Sequence, residues 1–260
     1  MKEKIYQYLI ELTNGKYSSL MLKKLVSSSF SKKFIREYSK VYGIDVSEVS
    51  RELHSFESLQ DFFTRQLKED ARPINQHDKT FISPVDAKIE SFGEIEDGAV
   101  FSVKGKPYTL FDLLGKEQMV EKYKKGKYIV FYLSPANYHR IHSPLDGTVI
   151  RQYFLGNKSY PVNQLGLTYG KKPISHNYRM INEIQIQNNK YFTLVKVGAM
   201  FVNSITLTNV STSWKKGEEI GYFGFGSTVV MLFEENVVTF TNNVQKGHAV
   251  KMGEPIATML

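Results

Sequence analysis

From about residue 80 onward the chain alternates apolar and polar positions between Gly, Pro and Asn turns. The alternation is clearest at 128–133, 192–202, 228–233 and 237–241. A period of two predicts strands with one face buried, and Val, Ile, Thr, Tyr and Phe dominate these runs, as pleated surfaces favour. Before residue 70 the period changes. Met21, Leu22, Leu25 and Val26 form one apolar stripe, with Lys23 and Lys24 opposite. Phe34, Ile35, Tyr38, Val41 and Tyr42 form a second, with Lys32, Lys33, Arg36 and Lys40 outside it. This is helical spacing, and Ser27-Ser28-Ser29 separates the two. A further helix is predicted over 58–68: Ser58 and Asp61 make a capping-box pattern, Phe62, Phe63 and Leu67 supply an apolar side, and Ala71-Arg72-Pro73 ends it. A short helix is predicted over 109–114, closed by Gly115. The expected fold is α+β: a helical segment over 1–70, then a β-rich body over 71–260, barrel- or sandwich-like.

Two internal echoes fit such a body. SPVDAKI (83–89) resembles SPLDGTV (143–149), and KKGEEIGYF (215–223) resembles QKGHAVKMGEPI (245–256). Each is a turn leading into a strand. They suggest pseudo-repeated hairpins but no solenoid, because no period is sustained.

Composition narrows the choices. With 260 residues and 42% hydrophobic content, the chain can bury a substantial core. It has no cysteine, which excludes disulfides, thiolate metal sites and Cys nucleophiles. No apolar run approaches the 18 residues of a membrane span, and no signal-peptide pattern opens the chain. The expected location is therefore the cytoplasm or the membrane face that borders it. The net charge of +8 is concentrated at the start, where residues 1–44 carry nine Lys/Arg against three Glu. Such a segment suits an anionic membrane surface or a nucleic acid. No nucleic-acid-binding motif accompanies it, and the basic amphipathic helices fit an interfacial pair on anionic lipid. An ordinary helical cap on the body has the same pattern.

Few residues offer chemistry. YHRIHSPLDG holds His139 and His142. On extended backbone, residues three apart point to opposite faces, a poor arrangement for chelating one metal; in a turn both could converge. Asp86 and Asp146 stand at matching places in the SP-x-D echo, where either could orient a histidine or simply close an Asx-turn. Gly224-Phe225-Gly226-Ser227-Thr228 sets a hydroxyl after flexible glycines and before a strand. It is not a nucleophile elbow, since position 229 is Val instead of Gly.

With these segments on the page, the chain resembles the phosphatidylserine decarboxylases of the bacterial and mitochondrial kind. The resemblance rests on FFTRQL with ARPI (62–67, 71–74), SPVDAKI, YHRIHSPLDG, YPVN (160–163), VGAMFVNSI (197–205) and KGEEIGYFGFGSTVVMLFE (216–234), in the family's order and rough spacing. Relatives often carry LGST where this chain has Phe225-Gly226-Ser227-Thr228; the change is apolar for apolar, upstream of the scissile bond.

The resemblance implies a self-cleaving proenzyme. Ser227 would attack the Gly226 carbonyl, with His142 as its base and Asp86 orienting that base. The chain would split into 1–226 and 227–260, and residue 227 would become a pyruvoyl group, the only cofactor implied; neither pyridoxal phosphate nor metal is called for. That group would act on phosphatidylserine through a Schiff base, releasing CO2 and phosphatidylethanolamine, with His139 handling the proton. Val162 and Asn163 of YPVN are expected near the head group. Strands from both sides of the 226/227 bond are expected to pair, keeping the two chains together. A substrate that stays in the bilayer favours peripheral attachment to the cytoplasmic face of the cell membrane through residues 1–44, and a homodimer is compatible with all of this. Two other readings share these residues. A serine hydrolase could use Ser227, His142 and Asp86 in an uncut chain. A lipoyl- or biotinyl-like carrier could be modified at Lys251, at a hairpin tip in VKMGEPI.

Overall fold

The computed structural model describes residues 21, 23–96, 98–162, 164–199, 205–224 and 226–260. Leu22, Phe225 and Asn163, each singled out above, lie outside the described residues. Eight strands form the central sheet: β1 (Ala87–Glu94), β2 (Lys127–Leu133), β3 (Gly147–Leu155), β4 (Arg179–Gln185), β5 (Tyr191–Gly198), β6 (Ser213–Trp214), β7 (Ser227–Phe233) and β8 (Ala249–Val250). They run antiparallel in the order β6-β3-β4-β5-β7-β2-β1-β8. The α+β expectation holds, but the sheet is open, with β6 and β8 at its edges, and does not close into a barrel.

The alternation expected at 228–233 does not hold: every residue from Val229 to Phe233 is apolar and buried. In β7, Val229, Met231 and Phe233 face a cluster with Phe81, Ile129, Phe131, Phe192 and Leu194. The intervening Val230 and Leu232 face the opposite cluster, with Val130, Ile181, Val195 and Tyr123. Burying apolar side chains on both faces accounts for a strand that is apolar at nearly every position. β7 pairs along its whole length with β5 on one side and β2 on the other. Residues 227–260 thus supply an inner strand and an edge strand to a sheet otherwise made by residues before the 226/227 bond, as expected. In a smaller sheet Pro255–Met259 pairs with Thr80–Ile82.

The two sequence echoes pair with each other. Ser83 N–H donates to Glu254 O at 2.8 Å and Gly253 N–H returns a bond to Ser83 O at 3.1 Å; Ser143 N–H donates to Glu218 O and Gly217 N–H to Ser143 O, both at 2.8 Å. The SP-x-D aspartates play matching parts. Asp86 accepts the Met252 N–H at 2.8 Å and Asp146 the Lys216 N–H at 2.7 Å.

The helices are shorter than their sequence patterns. α1 (Ile35–Tyr42) ends at Gly43, whose φ of 63° is the left-handed conformation glycine adopts freely. α2 (Leu59–Phe63) is capped as expected, Ser58 Oγ accepting the Asp61 N–H at 3.2 Å, but it stops at Thr64 and does not reach residue 68. α3 (Leu110–Leu114) is capped by Thr109 and closed by Gly115 at φ 65°. Ile35, Val49, Phe56 and Phe62 make a small core of their own. This layer lies against the loop after β2, where Tyr38 OH donates to Pro135 O at 3.4 Å.

Candidate active site

β7 begins at Ser227, opposite Leu133 of β2 and Gly198 of β5. Its side chain is fully buried, and Oγ has no hydrogen-bond partner among the described residues. A buried hydroxyl without a partner costs roughly 1–3 kcal/mol, so its presence calls for a chemical use. The Gly226 carbonyl oxygen accepts the Ala199 N–H at 3.0 Å. That donor polarises the carbonyl and would hold negative charge developing on its oxygen, as in an oxyanion hole. Sequence reasoning missed this contact, because a backbone donor leaves no side-chain signature.

Leu133 leads into the loop that carries His139 and on to the short strand that ends at His142. His139 is fully buried, with its ring 3.9 Å from the Phe63 ring, centroid to centroid. Its Nδ1–H donates to Asn137 O at 2.9 Å, which leaves the Nε2 lone pair bare. Burial, and next the positive charge of Arg65, hold its pKa down at about 3, so the ring is neutral at ordinary pH. His142 ends the short strand Arg140–His142, opposite Glu219. Its Nδ1–H donates to Gly217 O at 2.8 Å, and Nε2 accepts the Tyr138 hydroxyl at 3.1 Å. Burial lowers its pKa as well. The two rings have separate partners, in keeping with their spacing on extended backbone.

Asp86 is not hydrogen-bonded to His142, which corrects the expected triad geometry. Its carboxylate is taken by Arg72, from Nε at 2.9 Å and from Nη2 at 2.6 Å, and by the Met252 N–H. A guanidinium fork satisfies a buried carboxylate better than one imidazole N–H can. Arg72 Nη2 also reaches Glu48 at 2.8 Å, and Lys251 Nζ lies 3.1 Å from the same carboxylate group. Asp86 therefore joins the helical layer, the main body and the C-terminal segment. It still acts on His142 through space, where its charge, like that of Glu219, favours the protonated ring. Neither ring nitrogen of His142 bonds Ser227 here. Lys251 is exposed as its hairpin position suggested. Asp146 is tied to Lys215 and Lys216 at the surface, next to Gly217, whose carbonyl accepts the His142 Nδ1–H, but it bonds neither histidine.

Val162 is buried in the same cluster as Val197 and Ala199. The Asn177 amide fixes that segment: it donates to Tyr160 O at 2.7 Å and to Gly198 O at 2.9 Å, and Gly198 faces Ser227. The YPV segment is thereby held at the Ser227 end of the sheet.

Lys196 was also missed. Opposite Val229 in the sheet register, it shares a face with Ser227, and the alternation of β5 already assigned that face to the core. It is fully buried over the Trp214 ring, its Nζ unpartnered, and burial lowers its pKa to about 7. As pH falls from 10 to 7, the unfolded chain takes up a proton that the folded site refuses. Stability should therefore drop as the pH falls through that range and level off below it. Lys196→Met should be more stable than the wild type at pH 7 and lack this slope in urea unfolding at pH 7, 8 and 9. Equal stability and equal slope would show that the amine finds a proton acceptor.

A hydroxyl poised beside a polarised peptide carbonyl, at a bond whose two flanks are held by one sheet, is the arrangement of a self-processing enzyme. The sequence profile of the phosphatidylserine decarboxylase family matches residues 59–258. The phosphatidylserine decarboxylase proenzyme of Anoxybacillus flavithermus is 52% identical over 252 residues, covering 97% of this chain and 95% of that protein. Proenzymes of the same name from Bacillus thuringiensis and Bacillus anthracis are each 45% identical over 260 residues, covering 100% of this chain and 99% of theirs. The chain belongs to the phosphatidylserine decarboxylase family, and with it to the carboxy-lyases.

Proposed function

We propose that this chain cuts itself between Gly226 and Ser227 and then decarboxylates phosphatidylserine at the membrane surface. The observation that carries the reading is the unpartnered, fully buried Ser227 Oγ at a carbonyl polarised by the Ala199 N–H. Oγ attacks that carbonyl carbon and the peptide nitrogen leaves, converting amide to ester. His142 Nε2 is the proposed proton acceptor. Its lone pair is available because Nδ1 carries the proton, and the Tyr138 hydroxyl that now occupies it must give way or relay the proton. Asp86 supports the base electrostatically and fastens the C-terminal segment. Elimination at residue 227, with loss of its α-proton, then releases Gly226 as a carboxylate and leaves dehydroalanine, which water converts to the pyruvoyl group with release of ammonia.

The residues at this position fit a pyruvoyl group: a buried strand end, two backbone strands to hold it, and unpartnered polar atoms at Ser227, Thr228 and His139. Such a group supplies the electron sink that loss of CO2 next to an amine demands. His139 lies in the loop that leaves Leu133, and its bare Nε2 is the proposed group that passes a proton to the α-carbon.

Attachment to the cytoplasmic face of the cell membrane through residues 1–44 is part of the proposal. Leu25, Phe30, Phe34, Val41 and Tyr42 are exposed among Lys32, Lys33, Arg36 and Lys40, a surface suited to acyl chains and anionic head groups. The adjoining Tyr38 bonds the loop that carries His139, so the lipid-facing layer and the reacting groups are neighbours. The test is vesicles of carboxyl-labelled phosphatidylserine in a neutral lipid. The wild type should float with them, release labelled CO2 and run as two chains on a denaturing gel. Replacing Lys23, Lys24, Lys32 and Lys33 by glutamine should weaken flotation, by roughly 1 kcal/mol per charge near the surface, and leave the split intact. An uncut, inactive wild type would overturn the reading; unchanged flotation of the variant would remove the membrane surface from it.

A further inference from the structure

Arg65 is a buried cation with no counter-ion among the described residues. Its side chain lies between the Phe62 ring, 5.3 Å away, and the loop of His139. Only Nη2 is engaged, donating to Ala136 O at 2.7 Å and to Asn137 O at 3.0 Å. Nε and Nη1 are buried with no acceptor, which leaves three of five N–H donors unfilled. The acidic groups that act on it from a distance, Asp86 and Glu48, are both committed to Arg72. Unpaired buried charge is costly, and a guanidinium retained in that state is prepared for an anion that arrives later.

Its position defines which anion. Asn137 O accepts both the Arg65 Nη2–H and the His139 Nδ1–H, so guanidinium and imidazole sit on the same carbonyl. A pocket of about 710 Å³ opens nearby, lined by Gln66 and Tyr138, the chain neighbours of Arg65 and His139, and by Lys68 with the acidic Glu69, Asp70 and Glu219; Arg65 itself is not in that lining. The substrate offers two anionic groups. A guanidinium on the carboxylate would stabilise the charge that decarboxylation must disperse, and so hold the ground state more tightly than the transition state. The phosphodiester keeps its charge from binding to release. We propose that Arg65 receives the phosphodiester of the lipid head group and so sets the head group's position relative to His139.

The inference rests on the decarboxylase reading, and its test separates the two. In mature enzyme, Arg65→Lys should raise KM for phosphatidylserine roughly 10- to 100-fold, the effect of losing a charged hydrogen bond, with kcat within a few-fold. Dihexanoylphosphatidylmethanol, a phosphodiester without amine or carboxylate, should inhibit the wild type and lose potency by a similar factor in the variant. N-octanoylserine, a carboxylate without phosphate, should inhibit both alike. Unchanged KM and unchanged inhibition, or a loss confined to N-octanoylserine, overturns the assignment while leaving the decarboxylase reading in place; a wild type without turnover overturns both. Should the variant fail to fold, crystals of the wild-type enzyme with dihexanoylphosphatidylmethanol decide. Phosphate within hydrogen-bond distance of Arg65 Nε or Nη1 supports the assignment, and phosphate elsewhere or absent refutes it.

Discussion

The Ser227→Ala protein should run as one uncut chain, with no 227–260 fragment detectable by intact mass, and should release no CO2 from phosphatidylserine. This is the largest effect expected of any single substitution, because it deletes the atom that attacks Gly226. Loss of folding would not explain it. Ser227 Oγ makes no hydrogen bond, while the backbone pairing of residue 227 with Leu133 and Gly198 needs no particular side chain. Removing an unpaired buried hydroxyl should leave the melting temperature equal or higher. A soluble, cooperatively unfolding, uncut protein is therefore the expected result. Cleavage at the same bond despite the substitution would end the argument for Ser227.

His139→Ala should give the opposite pattern: normal splitting, with phosphatidylserine turnover reduced by roughly 10²–10⁴-fold, the usual contribution of one proton-transfer group. The separation follows from the partners of the two rings. His142 bonds Gly217 and Tyr138, whereas His139 bonds Asn137 and lies tilted against the Phe63 ring. The variant's small chain should still label with a hydrazide at its N-terminal carbonyl. Because the His139 pKa lies near 3, the wild-type rate should show no titration of this ring between pH 5 and 8. Protonation would begin to silence it only as the pH falls toward that value. An uncut His139→Ala chain, or a cut and fully active one, would require the two roles to be redrawn.

Much of this site could be read in the chain because its signals are local. The capping of α2 by Ser58 and the closing of α3 by Gly115 depend on residues a few positions apart. The strand that starts at Ser227 was legible as an apolar run after a glycine pair, and the spacing of His139 and His142 already separated their surroundings. The repeated turn offered Asp86 and Asp146 alike, and the family resemblance chose Asp86, which is the buried one of the two. Its partner was misjudged, because Arg72 competes for the carboxylate through a fork that only the packed helical layer brings into range.

What the sequence determined by itself was periodic or short-range: an α+β chain, helices before residue 70, apolar-faced strands after it, and the bond at which a serine follows glycine. Only the tertiary structure decided which groups are free and which are taken. It closed Asp86 with Arg72, filled His142 Nε2 with Tyr138, and placed the Ala199 N–H on the Gly226 carbonyl. It also left Arg65, Lys196 and Ser227 buried with polar atoms unpaired. The physical reason is that a side chain's burial and partners are set by strands and loops distant in sequence. Periodicity can say which face a residue occupies, but not which donor or acceptor stands opposite when the faces close.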